Sequence, residues 1–165
     1  MTIKKVAVNN NKKALEIETS KGKLSLPFAN LRVVPTSENP VEEIYVDAEL
    51  GRKALTYRLV SGAEDSVPLD AFLDYNRDPD YLRKMTLYSL TLKALELVKR
   101  SSLSKREIAR KLKTSPAQLY RLLDPANYRK SVDQMMRLAA SLGYEVNFTL
   151  KRAKEPTMKI GGLRH

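Results

Sequence analysis

The 165-residue sequence contains no cysteine and a single histidine, His165. Without thiols there are no disulfides, no thiolate metal sites and no cysteine nucleophile. That composition suits a reducing compartment, and a cytoplasmic location is expected. One histidine cannot supply a Ser/His/Asp triad or a multi-histidine metal cluster. The phosphate-cradling patterns GxxxxGK[ST] and GxGxxG are missing too. Adjacent acids such as Glu42 and Glu43 fall in a strand-like stretch, where neighbouring side chains point to opposite faces and do not converge. An enzyme is therefore not expected, and no cofactor or metal is implied. No apolar run approaches the length of a membrane span. Residues 1–13 lack an apolar h-region, so a signal peptide is not expected. Acidic charge is also scarce in the second half, where residues 80–165 hold only 7 Asp and Glu.

Against those 7 acids stand 19 Lys and Arg, whereas residues 1–79 hold 11 basic and 12 acidic side chains. All of the net charge of +11 thus comes from the second half. A near-neutral module joined to a strongly basic one points to a polyanionic partner for the latter, nucleic acid above all. Hydrophobic residues make up 42% of the chain, enough for packed cores.

The first half reads as β. Leu15 and Ile17 alternate with Glu16 and Glu18. The same period of two recurs in Leu24, Leu26 and Phe28, in Ile44, Val46 and Ala48, and in Leu55, Tyr57 and Leu59. Gly22, Gly51 and Gly62 mark turns. Lys13-Ala14-Leu15 recurs as Lys53-Ala54-Leu55, Gly22 as Gly62, and Leu26-Pro27-Phe28 as Val67-Pro68-Leu69. This suggests an internal repeat of two hairpins that could pack into one small sheet.

The second half reads as helices. Asp78 and Pro79 are an N-cap and a first helical residue, opening a helix to about Arg100. Its apolar stripe is Leu82, Met85, Tyr88, Leu92 and Leu95, widened by Leu87, Leu90, Ala94 and Leu97. Three capping boxes follow: Ser104 with Glu107, Ser115 with Gln118, and Ser131 with Gln134. The inner faces are Ile108, Ala109 and Leu112, then Leu119, Leu122 and Leu123, then Val132, Met135, Met136, Ala139 and Leu142. Gly143 is a natural stop. Only Lys113 and Thr114 separate the first two of these helices, so they must cross steeply. Tyr144, Val146, Phe148 and Leu150 alternate with polar residues as a half-buried strand. The expected architecture is α+β: a small antiparallel β module over 1–77, a helical bundle ending in a strand over 78–152, and a flexible tail over 153–165.

The run from Leu103 to Leu112, the Thr114-Ser115 junction, the helix that follows, and Met136 to Gly143 resemble the Cro/C1-type (Xre-like) helix-turn-helix family, including its antitoxin relatives. The resemblance covers about residues 85–150. It implies a sequence-specific transcriptional regulator of double-stranded DNA, with a recognition helix over about 115–124. Base readout would fall to Ser115, Pro116, Ala117, Gln118, Tyr120 and Arg121. Among them Arg121 is the best direct reader, because its guanidinium fork matches guanine O6 and N7. Lys105, Arg106, Arg129 and Lys130 suit phosphate contacts. The strand of Tyr144, Val146, Phe148 and Leu150 needs a partner, either its twin across a two-fold axis or the chain's own N-terminal sheet; a homodimer for a palindromic operator is the expectation. The family usually has glycine where Lys113 stands, which implies strain or a different turn. Two alternatives stay open on the residues. One is an autorepressing antitoxin that holds a toxin through residues 1–77. The other is an interaction scaffold whose bundle has lost DNA binding, to which Pro116, Ala117 and Lys113 lend weight.

Overall fold

In the computed structural model, which describes residues 1–153, the chain is α+β and divides into two units, Met1–Asp78 and Pro79–Arg152. The tail expected beyond Ala153 lies outside the described residues. The first unit holds six strands: β1 (Ile3–Asn9), β2 (Ala14–Thr19), β3 (Gly22–Pro27), β4 (Val41–Val46), β5 (Ala54–Leu59) and β6 (Glu64–Pro68). They form two antiparallel three-stranded meanders, β1-β2-β3 and β4-β5-β6, rather than the single sheet suggested by two hairpins.

The internal repeat extends through each whole meander. Ala14 pairs with Pro27 as Ala54 pairs with Pro68, and Leu15 pairs with Leu26 as Leu55 pairs with Val67. Where the chain leaves the third strand, Phe28 N–H donates to Lys13 O and Leu69 N–H to Lys53 O, both at 2.8 Å. Even the irregularities match: the register shifts between Ile3 and Lys5 in one meander and between Val41 and Glu43 in the other. An extra residue of this kind breaks the period of two. That is why β1, with Ile3 and Val6 three apart, escapes a search for alternation. The two copies then diverge. The first ends in a single 3-10 turn at Phe28–Asn30, the second in helix α1 (Leu69–Tyr75), which buries Leu69, Phe72 and Leu73. Tyr57 is fully buried and donates its hydroxyl to Val33 O at 2.6 Å, tying down the segment between the meanders. Burial first, and the Asp65 carboxylate second, push its pKa up to about 12.

The second unit consists of α2 (Pro79–Arg100), α3 (Lys105–Lys111), α4 (Pro116–Leu123) and α5 (Val132–Ser141). The stripe that α2 buries is Leu87, Thr91 and Ala94, whereas Tyr88 and Leu92 of the expected stripe are exposed. A wholly apolar set at helical spacing had outweighed Thr91 in the sequence. Its hydroxyl is satisfied within the helix, donating to Leu87 O at 2.7 Å. The core joins Ala94 to Ile108, Ala109, Leu119, Leu123, Met135 and Leu138. Ala109 and Leu119, both essentially inaccessible, belong to that core, one from α3 and one from α4.

Helix ends follow local chemistry. Ser104 with Glu107 and Ser131 with Gln134 form complete capping boxes. At α4 only half the box exists: Ser115 accepts from Gln118 N–H, but the Gln118 side chain does not return. After α5 the chain closes a Schellman motif, with Gly143 N–H on Ala140 O and Tyr144 N–H on Ala139 O, and Gly143 at φ 85°. After α3 the same motif recurs, with Lys113 N–H on Arg110 O and Thr114 N–H on Ala109 O. Lys113 occupies the glycine position at φ 54°. The turn between α3 and α4 is therefore the glycine-type turn, kept at the cost of a left-handed lysine. Lys113→Gly is expected to raise unfolding stability by about 0.5–1 kcal/mol, the steric gain being reduced by the freer unfolded chain. Denaturant titration of the two proteins measures it. A decrease in stability would mean that the lysine carries an interaction worth more than its strain.

The strand expected over 144–151 is absent: residues 144–153 carry no regular structure. The physical reason is that a strand needs a ladder partner, and the Pro79–Arg152 unit contains no other strand.

Candidate nucleic-acid interface

Within Pro79–Arg152 there are 16 Lys and Arg against 6 Asp and Glu. Several of the acids are already engaged. Glu107 accepts from Ser104 N–H at 2.6 Å, and this bond holds its carboxyl below the usual range. Asp133 pairs with Arg137 at 3.3 Å, and Asp124 Oδ1 accepts from Ala126 N–H at 2.9 Å. Lys105, Arg106, Arg121 and Arg129 have no acidic partner within 4 Å among the described residues. The unit therefore presents uncompensated positive charge.

α4 sorts its residues by period. Leu119 and Leu123 go into the core, and Leu122 is half-buried. Ser115, Pro116, Ala117, Gln118, Tyr120 and Arg121 are all exposed, so all six sequence-predicted readers lie on the solvent side of one short helix and its cap. The Ser115 oxygen is committed as the helix cap, which leaves only its proton to give. Tyr120, 56% exposed, has the Lys105 ammonium 5.0 Å from its ring centre, a cation–π pair joining the first turn of α3 to α4. Arg106 is exposed beside it on α3.

Beyond α4 the chain turns through Pro125–Lys130 to α5. A cleft of about 550 Å³ opens there, lined by Arg121, Arg129, Asn127, Gln118 and Gln134 among others. Gln118 and Gln134 also line an adjoining cleft of about 450 Å³ with Lys113, Thr114 and Arg137. Arg129 is exposed and shares the first cleft with Arg121.

Lys130 departs from expectation. It is 3% exposed, and its ammonium donates to Leu122 O and Asp124 O, each at 2.8 Å. Desolvation lowers its pKa, opposed by the Asp124 carboxylate. Instead of the exposed ammonium that a phosphate contact calls for, it is a plug in the C-terminal end of α4. Pro125 stops that helix and leaves its last carbonyls unpaired, and an inward lysine meets them. Four further residues went unnoticed in the sequence. Asn127 Nδ2 donates to Arg121 O at 3.0 Å, Arg83 donates to Tyr128 O at 3.3 Å, and the Lys84 ammonium lies 5.8 Å from the Tyr128 ring centre. Asn127, placed after Asp-Pro-Ala, carried a turn signal that could have found it. The α2 contacts carried none.

The residues expected to pair two copies behave differently. Tyr144, Phe148 and Leu150 are 47%, 60% and 99% exposed, and Val146 is half-buried. They do not converge on a packed surface within the chain's described residues. No helix of the described residues is long and apolar enough to cross a membrane, and no group of three or more His, Asp or Glu side chains among them could hold a metal ion. Comparison with family models, with curated proteins and with solved structures returns no match.

Proposed function

We propose that Pro79–Arg152 is a sequence-specific double-stranded DNA-binding unit, that the protein is a transcriptional regulator, and that α4 enters the major groove. The observation that carries this reading is the division of α4. Its inner face is fixed in the core by Leu119 and Leu123, and its outer face exposes Ala117, Tyr120 and an unpaired Arg121. The α3–α4 pair is joined by a short turn with Lys113 in the left-handed conformation, which suits the steep crossing of a helix-turn-helix. Arg121 reads guanine, and Arg106 and Arg129 meet phosphates on either side. Two copies, joined through the 144–151 segment, would set two reading helices on successive turns of a palindromic site.

Salt dependence separates the two kinds of contact. The full chain, titrated into labelled random-sequence duplex over a salt series, should give a linear fall of log affinity with log salt. Arg129→Ala should weaken binding to every duplex alike and reduce the slope by about 0.9, one phosphate contact fewer. A change in base preference without a change in slope would assign Arg129 to the groove instead. No binding to any duplex at low salt would remove the proposal.

A further inference from the structure

Lys130 lies in a basic loop beside the reading helix, yet its charge is spent inside the protein. We infer that Lys130 is a positioning residue that sets base preference without touching DNA. It does so by locking the Arg121 end of α4 to the loop that carries Arg129. The inference rests on the DNA-reading proposal.

The geometry is a clasp across the end of a helix. The last turn of α4 and its C-cap offer three carbonyls, of Arg121, Leu122 and Asp124, to the chain that follows. Asn127 Nδ2 takes the Arg121 carbonyl, and the Lys130 ammonium takes the other two. Asn127 N–H adds a bond to Asp124 O at 3.1 Å, and Asn127 Oδ1 accepts from Arg129 N–H at 3.1 Å. The residue that orients Arg129 is thus the one that caps Arg121, and Lys130 closes the ring from the far side.

An ammonium this buried costs desolvation, and its lowered pKa reflects that cost. Two charge-assisted bonds at the negative end of the helix dipole offset it. A methionine would fill the same space more cheaply but would take its donor from the Leu122 carbonyl, leave Asp124 O with the Asn127 N–H alone, and untie the lysine from the helix end. A direct reader depends on being held within a fraction of an ångström of its base edge. Arg121 lies two residues from the end of an eight-residue helix, where fraying would otherwise blur its position.

The test uses the full chain and three variants, Lys130→Met, Lys130→Arg and Asn127→Ala. The first readout is the affinity ratio between the duplex selected from a random pool and random duplex, over a salt series. The second is amide hydrogen exchange without DNA. Lys130→Met should lower the selected-to-random ratio roughly 3- to 30-fold and leave the salt slope unchanged. It should also speed exchange at Asn127 and Arg129, while Thr114 and Tyr144, whose amides close the two Schellman motifs, stay protected. Lys130→Arg, which can still donate to both carbonyls, should restore much of the ratio, and Asn127→Ala should lower it as Lys130→Met does. Should Lys130→Met prove unfolded, Lys130→Arg and Asn127→Ala decide, and an unaltered ratio in Asn127→Ala overturns the clasp.

A salt slope reduced by about 0.9 with equal weakening on both duplexes would make Lys130 a phosphate ligand and overturn the inference. So would an unchanged ratio with unchanged exchange. If the wild-type chain binds no duplex, the DNA reading fails by itself. The exchange arm then still decides whether Lys130 ties the loop to the helix.

Discussion

Arg121→Ala is expected to weaken binding to the preferred duplex by about 1–3 kcal/mol, roughly 5- to 150-fold, and to relax preference at one base pair. Binding to random duplex should change far less. Arg121 is exposed on α4, one turn beyond Ala117 and opposite the buried Leu119 and Leu123. The neighbour best placed to neutralise it is Asp124, three residues on. Asp124 instead accepts from Ala126 N–H, and no ion pair joins it to Arg121 among the described residues. The guanidinium is therefore available with its full fork of donors. Affinities for both duplexes, measured by fluorescence anisotropy at fixed salt, give the answer. Equal losses on both would mean that Arg121 is only a source of charge.

Leu119→Ala is expected to destabilise the helical unit by about 2–5 kcal/mol. Leu119 is fully buried, sits in the cluster with Ile108, Ala109, Met135 and Leu138, and lies on the helix that carries the proposed readers. The residual cavity would open in the core that α3 and α4 share, so their crossing should loosen along with it. Denaturant unfolding followed by circular dichroism reports the loss of helix, and duplex binding should fall with it at temperatures where the unit is partly unfolded. A cost below about 1 kcal/mol would show that Ala109 and its neighbours close around the deletion, and that the packing is looser than the burial implies.

What the sequence made legible was whatever local chemistry decides. Ser104 and Ser131 cap because serine followed three residues on by Glu or Gln closes its bonds within one turn, and both boxes are complete. The matched Ala14 and Ala54 meanders were visible as a repeat because strand pairing in a hairpin is also local. Three features depended on the rest of the fold. β1 was hidden because its register shift at Ile3/Lys5 puts Ile3 out of phase with Val6 and Val8, leaving too short an alternating run to stand out. The segment after Gly143 alternates like a strand but has no partner in its unit, and a strand is defined by its partner. Lys130 reads in sequence as one more charge beside Arg129. Only the stop at Pro125, which leaves the α4 carbonyls facing back toward the loop, gives that ammonium a reason to turn inward. In α4, outward and inward positions were legible from helical period alone. The missing half of the Ser115 box was not, and it leaves the Gln118 side chain among the residues lining both clefts.

The most direct measurement is selection by the full-length protein from a pool of random-sequence duplex, followed by sequencing of the bound fraction. A sequence-specific reader with one guanine-directed arginine on each of two paired copies should enrich a short motif in two inverted half-sites. Their centres should lie about one helical turn, 10 to 10.5 base pairs, apart. The enriched duplex should bind on the order of a thousandfold or more tighter than the starting pool. A bound fraction that keeps the composition of the starting pool after repeated rounds, at salt concentrations where the protein is folded, would contradict the account.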